Sequence, residues 1–153
     1  DIRYLYIKNS TILIMNILFL CVGNSARSQI AEGLAVKMFG NKHLIKSAGS
    51  KPSGSVHPNA IITLDDIGID ITSHISKSID DLDKDFLNNL NYVITLCSEE
   101  VCPVIPSDAE SFHWVNEDPA NNKLNDIQLK MAFNKTRDNI YNLLKKFMIE
   151  KNL

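Results

Sequence analysis

Cysteine is scarce here, with three in 153 residues, and so small and odd a set does not make the paired framework that staples a secreted mini-protein. Neither sign of charge dominates. Sixteen Lys and Arg face 18 Asp and Glu, a net of -2 spread along the chain, which provides no basic field for nucleic acid. Long apolar runs are missing too: the longest candidate, Thr11 to Val22, is broken by Asn16 and falls short of the roughly 20 residues that cross a bilayer. His43, His57, His74 and His113 show no metal-ligand spacing, so they read as loop or core residues. These absences predict a cytoplasmic, monomeric protein without nucleic acid, membrane, metal or cofactor as partner.

What is present suits one compact domain, since 44% hydrophobic content builds a core without help from disulfides or metals. Arg3 and Lys8 ahead of the Thr11 to Val22 stretch resemble the first two regions of a signal peptide, yet cleavage near Cys21 would destroy the motif that begins there. Met15 offers a simpler start. Residues 1–15 are then a leader or N-terminal extension, and 16–153 a single domain.

Asn16 to Cys21 (NILFLC) is a short apolar run that meets a polar Gly-containing turn at once, the pattern of a strand buried on both faces. Ser28 to Phe39 follows with Ile30, Ala31, Leu34, Ala35 and Met38 at helical spacing and Gly40 as a stop. Leu44 to Ser47 is a weak second strand, and 48–58 a loop rich in Gly, Ser and Pro. Helices are predicted over 59–67, ended by Gly68, and over 79–90. Strands are predicted over 92–97 and 113–115, and a long last helix over 126–148 with Ile127, Met131, Ile140, Leu143, Leu144 and Phe147 as its apolar positions. Alternating strands and helices imply an α/β three-layer sandwich around a four-stranded parallel sheet, with the ligand site at the carboxyl ends of the strands. Cys21 and Cys97 both lie at such ends.

Cys21-Val22-Gly23-Asn24-Ser25-Ala26-Arg27-Ser28 joins the buried strand to the first helical turn. Backbone N–H groups of a tight loop and a helix N-terminus converge on an anion there, and Arg27 offers a planar two-pronged grip on two oxygens. Phosphate, arsenate and sulfate match that cradle. The same field favours a thiolate at Cys21, with Ser28 as a hydrogen-bond donor and Asn24 holding the loop. The plain alternative is a buried cysteine beside an ordinary helix start.

With these residues the chain resembles the low-molecular-weight protein tyrosine phosphatase fold family, and within it the thioredoxin-coupled arsenate reductases. The resemblance runs from about Asn16 to Phe147 and is strongest in FLCVGNSARSQIAEG, SAG at Ser47 to Gly49, TLCSEEVCP at Thr95 to Pro103, and HWVNEDPA at His113 to Ala120. It implies Cys21 as nucleophile, Arg27 as oxyanion ligand, and Asp118 of the Asp-Pro pair as the acid that protonates the departing oxygen. A positioned acid is typically worth about 10² to 10⁴-fold. By themselves Asp118 and Pro119 are more often a turn former than an acid, and Glu117 is a neighbouring candidate.

The resemblance further implies arsenate reduction, because a phosphatase needs one cysteine whereas this chain adds Cys97 and Cys102. Cys97 would attack the Cys21 adduct, Cys102 would then attack Cys97, and a dithiol protein, thioredoxin or glutaredoxin, would reduce the resulting bond. Hydrolysis of phosphomonoesters by Cys21, Arg27 and Asp118 is the alternative, but Ala120-Asn121-Asn122 stands where such phosphatases carry aromatic residues. Structural cysteines or half a zinc site are the other readings of the pair. Linking Cys97 to Cys102 requires the four residues between them to curl, because an extended stretch would hold the alpha carbons beyond about 6.8 Å.

Some relatives hold potassium under the loop with residues corresponding to Asn24, Glu32 and Ser47 and an acidic residue near Ser76-Lys77-Ser78. Here Lys77 takes that place, so its ammonium is expected either to bond Glu32 in lieu of an ion or to lie solvated on the surface.

Overall fold

The structure is a computed structural model, and it describes residues 4–7, 10–98 and 102–153. Tyr4–Ile7 (β1) and Ser10–Leu13 (β2) pair as a two-stranded antiparallel sheet. Of the signal-like features, Arg3 and Lys8 lie outside the described residues. The main sheet has four parallel strands in the order β4-β3-β5-β6, formed by Asn16–Cys21 (β3), Leu44–Gly49 (β4), Tyr92–Thr95 (β5) and Glu110–His113 (β6). Its helices are Arg27–Phe39 (α1), Pro58–Asp65 (α2), Lys84–Asn88 (α3) and Asp126–Lys151 (α4).

The unbroken apolar run of β3 has a direct cause. Every residue of that strand is buried: Ile17 and Phe19 join the core with Ile30, Leu34, Ile140 and Phe147, while Leu18 and Leu20 join a second core with Leu82, Phe86 and Val93. Alternation of side chains across the pleat thus feeds two hydrophobic layers from one strand. Three layers result, as expected.

Some elements differ from the sequence expectation. Residues 79–90 form a 3-10 turn, Ile79–Asp81, and the short α3 rather than one helix. Two caps compete there: Ser78 and Asp81 form a capping box, and Asp83 accepts from the Asp85 backbone N–H, so a second helix start interrupts the first. The fourth strand lies at Glu110–His113, not 113–115, because Tyr92 of β5 pairs with Glu110 and the ladder closes at Thr95 opposite His113. The strand expected over 92–97 ends at Thr95. Helix α4 runs on to Lys151, and its Ile127 and Met131 are exposed, whereas Phe133 is fully buried. At the end of α2, Gly68 takes φ +81, the left-handed conformation that glycine tolerates.

The β5–β6 side of the sheet is tied down by rings. Phe147 of α4 packs edge-on against Tyr92, Phe112 and Trp114 at centroid distances of 5.1, 5.4 and 5.7 Å. These contacts anchor β6 and the start of the segment that leads to Asp118.

Candidate active site

Backbone strain and close approach shape the loop after β3. Asn24 has φ +45, in the left-handed region that asparagine visits more readily than most residues. Gly49, at the end of β4, lies so close that a Cβ would collide with the Val22 carbonyl oxygen and stand 2.9 Å from the Asn24 nitrogen. The loop carbonyls are bonded from the following segment: Val22 accepts from Lys51, Gly23 from Ser53 and Ser25 from His57, each at 2.9 Å. Helix α1 then starts at Arg27 without a side-chain cap and without an acidic residue in its first turn. An uncapped, positively polarised helix end therefore faces the loop.

Cys21 is buried and is the free cysteine among the described residues. Its Sγ lies 2.8 Å from Ser28 Oγ and accepts from the Asn24 backbone N–H at 3.2 Å. The direction of the first bond follows from the surroundings. Asn24 Nδ2 donates to Ser28 Oγ at 2.8 Å and to Ser47 Oγ at 3.0 Å, and Asn24 Oδ1 accepts from Gln29 Nε2 and the Lys77 backbone N–H, both at 2.9 Å. With its oxygen already accepting from Asn24, Ser28 has its own proton available for sulfur, so two donors can converge on Cys21 Sγ.

Around this first ring stands a charged one. Glu32 Oε1 is 3.5 Å from Lys77 Nζ, Glu32 Oε2 is 3.3 Å from His74 Nδ1, and Lys77 Nζ donates to Ser47 Oγ at 3.4 Å. Lys77 is thus engaged rather than solvated, and its ammonium stands at the carboxylate that a bound cation would need. Among the described residues no group of three or more His, Cys, Asp and Glu could hold a metal ion. Sequence reasoning placed Asn24, Ser28, Glu32, Ser47 and Lys77 here but missed Gln29 and His74. Gln29 Nε2 also reaches the Ile75 carbonyl, and its Oε1 meets His74 Nδ1 at 2.9 Å. Because Gln29 presents oxygen to the imidazole, Nδ1 carries the proton. Burial holds His74 below the ordinary histidine value, opposed by Glu32 and reinforced by Lys77. Neither residue had a sequence signal beyond lying near the motif.

Arg27 is buried and donates from Nη1 to the Asn116 carbonyl oxygen at 2.9 Å. That bond ties the oxyanion loop to the segment carrying Asp118. Asp118 is exposed, with Oδ1 accepting from the Ala120 N–H at 3.0 Å, and its charge reaches His57, pulling upward a histidine that burial lowers. Asp118 and Glu117 share an open groove with Ala120, Asn121 and Asn122, and none of its described lining residues is aromatic.

Cys97 and Cys102 form a disulfide, with alpha carbons 5.7 Å apart. Residues 99–101 of the expected curl lie outside the described residues, but this separation meets the disulfide requirement. Strands β3 and β5 are neighbours, as the two thiols require: Leu20 pairs with Thr95 and the Leu96 N–H bonds the Leu20 carbonyl oxygen at 2.9 Å. Cys97 then lies two residues past the end of β5, the strand beside the one that ends in Cys21. Cys97 is fully buried, whereas Cys102 is partly exposed.

The low-molecular-weight phosphotyrosine protein phosphatase family matches residues 16–153. The chain belongs to that family. Within it, the chain is 40% identical over 133 residues to an arsenate reductase of Bacillus subtilis, covering 86% of this chain and 93% of that one. A solved structure described as an arsenate reductase in the phosphate binding state superposes with a TM-score of 0.74 at 28% identity, covering 90% of this chain and 98% of that one. The thioredoxin-dependent arsenate reductase of Corynebacterium glutamicum gives 0.63 at 28% identity, over 90% of this chain and 63% of the other. The fold and order of layers of this phosphatase family member are those expected from its sequence. No described helix is long and apolar enough to cross a membrane.

Proposed function

We propose that this member of the phosphatase family reduces arsenate to arsenite. One observation carries the proposal: a disulfide joins Cys97 to Cys102 while Cys21, in the anion loop, remains a free thiol. That is the oxidation state a relay would reach after arsenite has left and before an external reductant acts.

The Cys21 thiolate attacks arsenic, Arg27 and the loop N–H groups from Val22 to Ser28 hold the oxyanion, and Asp118 protonates the oxygen that leaves as water. The Cys97 thiolate then attacks the Cys21 sulfur. An S–S bond forms, the S–As bond breaks, and its electron pair reduces arsenic from the +5 to the +3 state. Cys102 attacks Cys97 and releases the Cys21 thiolate, giving the Cys97–Cys102 bond. A dithiol protein, thioredoxin or in its place glutaredoxin, reduces that bond, and Cys102 is the accessible sulfur. Asn24, Glu32, Ser47 and Lys77 support the loop throughout. The groove at Asp118 lacks a ring to grip an aryl phosphate, which favours arsenate over a phosphomonoester.

The test incubates reduced protein with arsenate, thioredoxin, thioredoxin reductase and NADPH. Wild type should consume NADPH continuously, while Cys97→Ser and Cys102→Ser should not. Hydrolysis of an aryl phosphate by all three proteins, without arsenite, would replace the proposal with phosphatase activity. Arsenite formed only with glutathione and glutaredoxin would reassign the reductant alone.

A further inference from the structure

The Cys102 thiol must lose a proton to attack Cys97, and the same sulfur must gain one when the external reductant releases it. His113 is placed for that exchange. Cys102 and His113 line one groove of about 240 Å³, with Val93, Val104 and Ile105 among its apolar walls. Among the described lining residues, these two alone carry an imidazole or a sulfur. Among the described residues, other ionisable groups on the surrounding elements are Tyr92 on β5, Asp108 on the incoming loop and Glu110 on β6, whose carboxylate is held by Lys151 at 3.0 Å.

The ring orientation is set by β5. The register brings Thr95, two residues before Cys97, opposite His113, and Thr95 Oγ1 lies 2.7 Å from His113 Nδ1. When Nδ1 carries the ring proton, Thr95 Oγ1 accepts it and turns its own proton toward the Phe112 carbonyl oxygen at 3.4 Å, and the Nε2 lone pair is then the basic position of the ring. In that tautomer the ring offers a base on the wall of a largely apolar groove.

Resting on the relay proposed above, we propose that His113 is the acid–base partner of Cys102, with Thr95 as the positioning residue that holds its ring through Nδ1. Nε2 takes the thiol proton as Cys102 attacks Cys97 and Cys21 departs as thiolate. When a dithiol reductant resolves its mixed disulfide with Cys102, the imidazolium returns the proton to the leaving sulfur. No electron passes through the ring.

Alkylation of the reduced protein by iodoacetamide tests this without arsenate, with each cysteine followed by mass spectrometry. Cys102 in His113→Gln should react about tenfold more slowly than in wild type at pH 7, with the gap closing above about pH 9.5, where solvent ionises the thiol unaided. Thr95→Val, which keeps the histidine but frees its ring, should give a smaller loss of the same pH shape. Cys21 should react equally in all three proteins. Equal Cys102 rates at pH 7, or a loss persisting unchanged at high pH or shared by Cys21, would overturn the proposal. The relay fails separately: if wild type alkylated at Cys102 alone still turned over arsenate with thioredoxin, the relay would fall while the alkylation result stood.

Discussion

The oxyanion loop and the segment from Cys97 to Ala120 meet at one end of the sheet but are built in opposite ways. From Cys21 to Ser28 the side chains of Cys21, Asn24, Arg27 and Ser28 are buried, with at least two bonds each to Cys21, Asn24 and Ser28, and no buried side-chain nitrogen or oxygen among the described residues lacks a partner. The other segment is a thin strand, an exposed acid held by its own loop, and a disulfide with one sulfur near solvent. Anion binding gains from donors fixed before the substrate arrives, whereas a thiol relay needs sulfurs that change partners. Enclosure and exposure are divided accordingly.

The sharpest break in that comparison separates the nucleophile from the resolving thiol. Cys21→Ser should lower arsenate turnover by about 10⁴-fold or more, while mass spectrometry still finds the Cys97–Cys102 bond after mild oxidation. Cys102→Ser should instead release close to one equivalent of arsenite per protein and then stall. A steady rate from either variant in the coupled assay would remove the division of labour.

Rigidity is tested at Gly49. Gly49→Ala drives a methyl group into the Val22 carbonyl oxygen and the Asn24 nitrogen, both backbone atoms, so the loop itself must shift. A displacement near 1 Å costs about 10²-fold in rate, and the overpacking about 1 to 3 kcal/mol in stability. An equal change in the exposed segment, Ala120→Gly, should alter turnover less than threefold or so. Chemical denaturation and initial rates measure both.

This contrast also explains what could be read from sequence. The rigid half was legible because its geometry is local: a buried strand, a turn, an uncapped helix start and an arginine within eight consecutive positions. Four parallel strands followed from the same local patterns. Strand order did not, because neither register nor neighbour is written in the β3 or β5 segment alone. Gln29 and His74 were missed since their roles arise from contacts across 5 to 46 positions. The break at Leu82 was missed because apolar spacing over 79–90 also suits a helix, and only the rivalry between Ser78 and Asp83 as caps decides it.

A milder perturbation is acid. His43, His57 and His74 are all lowered from 6.5, in each case chiefly by burial. A histidine lowered in the fold binds protons more readily when unfolded, so stability is full above the unfolded value and declines as pH falls through 6.5 toward the folded values. His43 Nδ1 accepts from the Met15 N–H at 3.0 Å, a bond that protonation breaks. Melting temperature should therefore drop between pH 7.5 and 5.5, and His43→Gln should flatten the decline. A melting temperature that rose over this interval would contradict the assignment.

The smallest effect is expected at Lys77, where backbone and side chain play separate parts. The backbone N–H holds Asn24 Oδ1 at 2.9 Å and survives any substitution, whereas the ammonium, 22% exposed, meets Glu32 at 3.5 Å. A partly exposed pair at that distance contributes about 1 kcal/mol or less. Lys77→Met should thus lower the melting temperature by a few degrees at most and turnover by roughly two- to fivefold, leaving Glu32 with His74 as its remaining ionisable neighbour. Wild type should run equally fast in potassium and sodium chloride at matched ionic strength, because the ammonium already neutralises the carboxylate beneath the loop. Marked stimulation of wild type by potassium would mean that Lys77 swings aside for an ion, and that the rigid half of the site is completed by a ligand rather than by the chain itself.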